Sequence, residues 1–157
     1  MVKLIVCTDL QGNIGRNNDL LFHMKEDMKF FKEQTNRNIV VMGYNTWLSL
    51  PNKPLPNRKN IVLTDENISN VTTSNNIFKV LETYSKEDIY IIGGAYVYNE
   101  CLKLGVIDEI LLTIVPTVVK DADVKIDLNL MKDYKNRTKL KEFVYKEMRV
   151  SIWSWKH

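Results

Sequence analysis

The chain has 157 residues, of which 45% are hydrophobic and 26% are charged, a composition typical of a globular protein with a full core. This balance excludes a disordered or fibrous chain. No aliphatic run approaches the roughly 20 residues of a membrane-spanning helix, and the amino terminus lacks the apolar region of about 7 to 15 residues found in secretory signals. We therefore expect one domain over residues 1–157 that is cytoplasmic and has no membrane partner.

The formal net charge of +3 is small, and the lysines are spread along the chain. Nucleic-acid surfaces need clustered positive charge, so no nucleic-acid partner is expected. Cys7 and Cys101 are too few for a disulfide framework or a four-cysteine zinc site, and both are predicted to be buried free thiols. His23 and His157 lack metal-ligand spacing, so no metal site is predicted.

Short, nearly continuous apolar runs in the first two thirds of the chain are typical of parallel strands covered on both faces. The predicted strands are Leu4–Thr8, Ile39–Met42, Asn60–Thr64 and Ile89–Ile92. The helices predicted between them, which have lengths that suit parallel crossovers, are Lys25–Glu33, Asn76–Tyr84 and Ala95–Leu104.

The last third of the chain has a different pattern, with strands and no predicted helices between them. A further strand is predicted at Glu109–Val115, followed by Leu140–Lys146 and Arg149–Trp155, which pair as a hairpin around Glu147–Met148. The predicted fold class is therefore α/β, with a mixed sheet that has an antiparallel edge.

Asp27 is the most informative single position. It lies three and four residues before Phe30 and Phe31, so its carboxylate shares a helix face with large apolar groups, where desolvation is expected. An aspartate in the first turn of a helix can equally be a solvated partner of the helix dipole. Spacing alone leaves both interpretations open.

Two glycine-containing turns follow predicted strands. Gly93–Gly94 lies between a strand and a helix, where the backbone can approach a phosphate at the positive end of the helix. Met42–Trp47 repeats this arrangement, with a strand ending in Gly43 before a short helix. Either turn can also be an ordinary tight junction, and the third glycine of a dinucleotide fingerprint is absent.

A proline-stiffened loop, Pro54–Asn60, delivers Arg58 to the start of a strand. An arginine held in this way suits a carboxylate, whereas an isolated arginine is more often a surface residue.

The order of these segments resembles dihydrofolate reductase over essentially the whole chain. The matching segments are Leu4–Thr8, Ile14–Gly15, Asp27 with Phe30–Lys32, Val41–Gly43 with Thr46–Trp47, Leu55–Pro56 with Arg58–Asn60, Ile91–Gly94 with Tyr98, and Leu112–Thr113. The resemblance implies an eight-stranded, mainly parallel sheet with flanking helices. It also implies that NADPH reduces dihydrofolate to tetrahydrofolate, that antifolate inhibitors bind and that the protein is a monomer.

The resemblance assigns Asp27 to the pterin, whose amino group and ring N–H one ionised carboxylate accepts as a pair. Thr113 matches a supporting hydrogen-bond donor, although it can equally be an ordinary strand threonine. Arg58 matches the residue that holds the glutamate α-carboxylate. The remaining residues that the resemblance places against substrate are Ile5, Cys7, Met28, Phe31, Leu50 and Ile92.

For the cofactor, the resemblance places the nicotinamide near the first strand and the lid loop, and the pyrophosphate at the two glycine turns. Tyr98 would lie against the nicotinamide region or serve only in packing. The residues implied near the nicotinamide are Cys7, Ile14, Gly15, Leu20 and Ile92. Those implied along the rest of the cofactor are Gly43, Tyr44, Asn45, Thr46, Leu63, Thr64, Asp65, Lys79, Gly93, Gly94, Ala95, Tyr96 and Val97.

Two departures from the family pattern affect function. Leu21–Phe22 stands where many members have Pro-Trp; phenylalanine has no hydrogen-bond donor, so proton delivery at the catalytic position Phe22 is expected to be altered. The surrounding loop, Asp9–His23, matches the mobile lid of the family, and the missing proline is expected to loosen it.

The second departure lies at the adenosine end. Tyr44–Asn45 replaces the usual basic residue, and Asp65 ends the neighbouring strand. A carboxylate repels a 2′-phosphate but accepts a hydrogen bond from a free 2′-hydroxyl. NADPH is the expected cofactor, with Lys79, Thr64 and Asn45 available to the phosphate, and NADH is retained as an alternative.

Two other functions stay open on the sequence alone. One is a related riboflavin-pathway reductase acting on a ribosylated pyrimidine, which Asp27 and Arg58 disfavour. The other is a catalytically weak family member that serves as a folate- or nucleotide-binding or structural component, an alternative motivated by Leu21–Phe22 and Tyr44.

Overall fold

The apolar runs of the sequence form the centre of an eight-stranded sheet in the computed structural model, which describes Met1–His157. The strands in chain order are β1 Val2–Thr8, β2 Asn13–Arg16, β3 Asp19–Leu20, β4 Ile39–Gly43, β5 Lys59–Leu63, β6 Thr72–Ser74, β7 Ile89–Ile91, β8 Glu109–Ile114, β9 Val124–Lys125, β10 Asn136–Tyr145 and β11 Met148–Lys156. The helices are α1 Lys25–Thr35, α2 Tyr44–Ser49, α3 Ile77–Thr83 and α4 Ala95–Lys103, with a 3-10 turn at Leu128–Met131.

The large sheet has the order β10-β11-β8-β1-β7-β4-β5-β6. The pairs from β8 to β6 are parallel, whereas β11 runs antiparallel to β8 and pairs with β10 as a hairpin. The predicted α/β class, the mainly parallel sheet and its antiparallel edge are confirmed. Parallel strands end at one edge of the sheet, so the segments after β1, β4, β5, β7 and β8 converge there.

Both faces of the sheet are covered, as the continuous apolar strands predict. Successive residues of β1 point to opposite faces: Leu4 belongs to the larger core cluster and Ile5 to the smaller. The larger cluster includes Val97 and Cys101 of α4, and the smaller includes Phe30 of α1. The helices are therefore fixed against the sheet by burial of their apolar stripes.

The predicted helices exist, with small differences at their ends. Helix α1 runs on to Thr35, two residues beyond the prediction. Asn76 and Tyr84 flank α3 rather than belong to it, because the Asn76 side chain accepts hydrogen bonds from the backbone N–H groups of Phe78 and Lys79 and so caps the helix. No helix combines the length and hydropathy that a membrane span requires.

The carboxyl-terminal hairpin differs from the prediction in two respects. Its turn is Lys146–Glu147, where both residues have positive φ, and Met148 already pairs with Tyr145. Strand β10 begins at Asn136 rather than Leu140, because an exposed stretch with a bulge between Lys139 and Lys141 hides the alternating pattern.

A second, three-stranded sheet, β3-β2-β9, was not predicted. Its strands are two to four residues long, too short to show a period-2 pattern. It pairs the loop after β1 with the segment after β8, and it therefore lies beside the edge where the parallel strands end.

Candidate active site

Asp27 lies in the first turn of α1, beside the end of β8. The Thr113 hydroxyl of β8 donates a 2.5 Å hydrogen bond to Asp27 Oδ1. The carboxylate is half-buried, and Thr113 is buried. Of the two interpretations left open by the sequence, the structure favours a held carboxylate in an apolar setting over a solvated one.

The electrostatic setting of Asp27 is unusual because no cation lies within ion-pair distance of it. Burial raises the pKa of Asp27, and the hydrogen bond from Thr113 and the nearby Cys7 thiol oppose that rise by favouring the ionised form. The charge is therefore available to a ligand that brings its own donors.

Cys7 shares this corner of the site. It is directly opposite Thr113 in the parallel pairing of β1 and β8. The prediction that both thiols are buried is correct for Cys101 and wrong for Cys7, which is only partly buried because β1 ends at the open edge of the sheet. Burial, together with the nearby Asp27 carboxylate, raises the pKa of the Cys7 thiol well above its ordinary value.

An apolar wall continues from Asp27 along α1. Ile5 is buried in the smaller core cluster, and Phe31, Leu50 and Ile92 are partly buried against it. Met28 does not join them: its side chain is 62% exposed on the outer side of α1. The structure thus gathers four of the predicted apolar substrate residues and leaves Met28 at the rim.

Arg58 is held at the other end of α1. Its Nε donates to the Pro56 carbonyl at 2.9 Å, and its Nη1 donates to Thr35 Oγ1 at 3.0 Å. Arg58 is in no ion pair, and burial lowers its pKa. Thr35 lies eight residues after Asp27, a separation of about 12 Å along the helix axis. The guanidinium is anchored as the proline-rich loop predicted.

The two glycine turns meet at the edge of the sheet. The Gly43 N–H donates to the Gly93 carbonyl at 2.8 Å, and a Cβ on Gly43 would lie 3.0 Å from Val97 Cγ2. A Cβ on Gly94 would lie 3.4 Å from Thr46 Oγ1. Neither α2 nor α4 has a side-chain cap at its start, so their first backbone N–H groups have no partner of that kind. This is a backbone surface suited to an anion.

The start of α4 divides into packed and exposed residues. Tyr98 is 5% exposed, and its hydroxyl donates to the Ile5 carbonyl at 2.7 Å. Val97 is also buried, whereas Tyr96 is 77% exposed. Ala95 is partly buried against the larger core cluster. The packing role that the sequence left open for Tyr98 is therefore present in the structure.

The strand ends beyond the glycine turns carry little positive charge. Tyr44 and Asn45 are exposed at the start of α2, and Asp65 accepts a 3.0 Å hydrogen bond from Asn75 Nδ2. Leu63 and Thr64 are partly buried at the end of β5. Lys79 is exposed on α3 and makes no ion pair.

The predicted lid, Asp9–His23, contains β2 and β3. Ile14 and Gly15 are buried, whereas Leu20 is exposed. Phe22 is partly buried against the small cluster of Met24, Val115 and Val150, and Cys7 at the end of β1 packs against the same cluster.

Asp9 was missed by the sequence reasoning. It is 1% exposed, and its two carboxylate oxygens accept hydrogen bonds from the backbone N–H groups of Gln11, Asn13 and Val119 and from the Asn13 side chain, at 2.8–3.0 Å. These bonds lower the pKa of Asp9 against the effect of burial. The available signal was an aspartate directly after a strand with a side-chain donor four residues later.

The structure contains no group of three or more His, Cys, Asp or Glu side chains that could hold a metal ion. Taken together, the fold and site define an α/β protein in which a held carboxylate and two glycine turns lie at the edge where the parallel strands end.

Comparison with known proteins agrees with this description. The family model for dihydrofolate reductase matches residues 1–148. A dihydrofolate reductase of Ureaplasma parvum is 36% identical over 98% of this chain and 97% of its own length, and that of Bacillus subtilis is 36% identical over 64% of this chain and 61% of its own. A solved structure of Enterococcus faecalis dihydrofolate reductase, complexed with NADP(H) and RAB-propyl, superposes with a TM-score of 0.81 at 27% identity and covers 99% of this chain and 95% of its own. The chain belongs to the dihydrofolate reductase family.

Proposed function

We propose that the chain reduces 7,8-dihydrofolate to tetrahydrofolate with NADPH, and that Asp27 orients and polarises the pterin. The observation that carries the proposal is the half-buried carboxylate of Asp27, bonded to Thr113 and without a cation, at the edge where the parallel strands end. Membership of the family supports the reaction and its cofactor. Residues 1–157 act as one domain, since the large sheet uses strands from both ends of the chain.

The chemistry at Asp27 follows from its surroundings. A pterin presents an amino group and a ring N–H side by side, and an ionised carboxylate accepts both. The pair is strong where water is scarce, so burial favours a ligand that supplies these donors. Hydride addition at C6 requires a proton at N5, and Asp27 assists by polarising the ring and a nearby water molecule.

The residues beyond Asp27 suit the remainder of folate. Phe31, Leu50 and Ile92 offer an apolar surface to the flat p-aminobenzoyl group. The distance of about 12 Å along α1 from Asp27 to Thr35 brings the Arg58 guanidinium to the glutamate end, where it holds the α-carboxylate.

The glycine turns fit a dinucleotide. NADPH, when bound, supplies the hydride. The uncapped starts of α2 and α4 and the Thr46 hydroxyl would hold its pyrophosphate, because a side chain on Gly94 would occupy space beside that hydroxyl. Cys7, Ile14 and Gly15 would border the nicotinamide. NADPH is the cofactor, and weak discrimination against NADH follows from Tyr44 and Asp65 if Lys79 contributes little.

Other properties follow from the same proposal. The partners are a small-molecule folate and antifolate inhibitors that carry the same pair of donors. We further propose a cytoplasmic monomer. Phe22 has no hydrogen-bond donor, so water near N5 is ordered less strongly than a donor side chain would order it.

The test is the oxidation of NADPH, and separately of NADH, by purified protein with and without dihydrofolate. Asp27→Asn serves as the paired variant, because it keeps the shape of the side chain and removes the charge. We expect dihydrofolate-dependent oxidation that falls by about 10²-fold or more in the variant.

Other results of these assays would lead to different conclusions. A variant with parent-like turnover and altered stability alone would show that Asp27 only supports the fold. No turnover with either cofactor, from protein shown to be folded by circular dichroism, would favour the catalytically weak binding or structural component. A similar catalytic efficiency with both cofactors would support weak discrimination, and a large NADPH preference would refute it.

A further inference from the structure

We propose that Cys7 is a positioning residue for Asp27: its thiol donates a hydrogen bond to the carboxylate from β1 while Thr113 donates from β8, and the two bonds together fix the orientation of the carboxylate toward the pterin. The inference rests on the proposed role of Asp27 and assigns to the thiol a task beyond contact with ligands.

The sheet geometry brings the two donors to one place. Cys7 and Thr113 are directly paired in the parallel register of β1 and β8, so their side chains project from the same face of the sheet. Neighbouring strands lie about 4.8 Å apart, a spacing that one carboxylate can bridge. Thr113 already bonds Asp27 Oδ1 at 2.5 Å, and the register places Cys7 on the neighbouring strand beside that bond.

The chemistry of the thiol favours the role of donor. Burial and the neighbouring carboxylate both raise the pKa of Cys7, so the thiol keeps its proton over the working range of an enzyme. A neutral S–H donates weakly, but an ionised acceptor strengthens the bond. An alanine at this position would fill space without donating.

The other titratable groups near Cys7 do not replace it. Tyr98 of α4 lies close to Cys7 and Asp27, but its hydroxyl is committed to the Ile5 carbonyl. Asp9, after β1, is near enough to raise the pKa of the thiol, and its own carboxylate is occupied by backbone and Asn13 donors. Thr113 holds Asp27 by a hydrogen bond, and Cys7 is the other side-chain donor beside the carboxylate.

A purely steric role for Cys7 makes a different prediction. If the thiol only fills space, serine and alanine should disturb the site in similar ways, or serine more, because it buries a polar hydroxyl. If the thiol donates, serine should retain the function and alanine should lose it.

The experiment measures kcat/KM for dihydrofolate as a function of pH in Cys7→Ala and Cys7→Ser. Cys101→Ala is the matched control, because Cys101 is buried on α4 away from Asp27. We expect Cys7→Ala to lower kcat/KM by about three- to tenfold and to move the pH at which the rate changes upward, since a bond that favours the ionised carboxylate is lost. Cys7→Ser should recover most of what Cys7→Ala loses, and Cys101→Ala should stay close to the parent.

A second readout does not depend on activity. Carbon-13 labelling of aspartate carboxyl groups allows the titration of Asp27 to be followed by NMR in the ligand-free protein, with Asp27→Asn used to assign the signal. A higher pKa of Asp27 in Cys7→Ala, restored by serine, supports the proposal. An unchanged titration, or equal shifts in alanine and serine, overturns it.

The two proposals fail separately. If Asp27→Asn keeps parent-like turnover, the proposed function of Asp27 fails. If Asp27→Asn is inactive and Cys7→Ala matches the parent in both rate profile and carboxyl titration, only the role of Cys7 fails.

Discussion

The two ends of the site are built in different ways. At the Asp27 end, side chains from α1, β1 and β8 converge on one charged group, and a hydroxyl holds it at 2.5 Å. At the glycine-turn end, the main surface is backbone: the starts of α2 and α4 and the glycines before them.

This difference determines how each end tolerates sequence change. A backbone surface persists when neighbouring side chains change, so Tyr44 and Tyr96 can stand at exposed helix starts without removing the N–H groups beside them. A surface made of a few side chains loses its function when one of them is replaced. Discrimination between substrates is therefore expected to be sharp at the Asp27 end and graded at the adenosine end.

The largest effect is expected from a substitution that weakens only the Asp27 end of the site. Thr113→Val removes the hydroxyl and keeps the shape, and a hydrogen bond to a charged group contributes about 1.5–3 kcal/mol. We expect kcat/KM for dihydrofolate to fall by about 10- to 100-fold, while KM for NADPH stays near the parent value. Steady-state kinetics with each substrate varied in turn measures both. A comparable rise in KM for NADPH would contradict the separation of the two ends.

At the glycine-turn end, we expect a substitution that disturbs the backbone conformation to have the main effect. Gly93 has a φ of +123°, and a Cβ there would lie 3.3 Å from the Tyr98 hydroxyl. We expect Gly93→Ala to lower the free energy of unfolding by about 1–3 kcal/mol and to raise KM for NADPH. Urea unfolding and cofactor titration would test both effects. Gly105→Ala is a useful control, because it also has positive φ but has no atom near the added Cβ.

A third prediction uses the charge of Asp27. Burial raises the pKa of Asp27 in the folded protein above its ordinary value of 3.8, so the folded state binds the proton more tightly than the unfolded state. The contribution of Asp27 to stability therefore decreases as pH rises from about that value through the raised folded pKa, and it stays low above it.

Asp27→Asn removes this dependence. We expect this variant to be more stable than the parent at pH 7 by about 1 kcal/mol, as is common where a site needs a buried charge. The gain should shrink in acid, where the parent carboxyl is protonated. Thermal unfolding at several pH values measures it, and a variant that is less stable at neutral pH would refute the account.

The smallest effect is expected at the adenosine end. Tyr44→Arg adds a cation at an exposed helix start, where a charge pair contributes up to about 1 kcal/mol. We expect the ratio of kcat/KM for NADPH to that for NADH to rise by about two- to fivefold. Tyr44→Gln, which adds no charge at the same position, is the control, and an unchanged ratio in Tyr44→Arg would show that the 2′-phosphate lies elsewhere.

Local sequence patterns were enough to predict the central strands of the large sheet. The strands β1, β4, β5 and β7 were predictable because each is a continuous apolar run, and the short β2, β3 and β9 were not, because pairing rather than composition defines them. The turn at Lys146–Glu147 was placed one residue too late, since neither residue is a glycine or asparagine that would mark positive φ.

The site was predictable where its residues lie near each other in the chain. Asp27 with Phe31 could be read from helical spacing. The hydrogen bond from Thr113 to Asp27 joins residues 86 positions apart, and only the family resemblance predicted it. The hydrogen bond from Val119 to Asp9 joins residues 110 positions apart, and no sequence pattern predicted it. The contact between Cys7 and Asp27 likewise depends on strand register.

The hydrogen bonds of Asp9 determine how the lid segment can open. Each of its oxygens accepts two hydrogen bonds, so no rotation of an amide in its place could satisfy all of the donors. Release of the segment requires a buried anion and its donors to become hydrated together, which favours one cooperative opening over gradual fraying. The amides of Gln11, Asn13 and Val119 should therefore exchange with deuterium at a common rate, although Val119 belongs to a different loop.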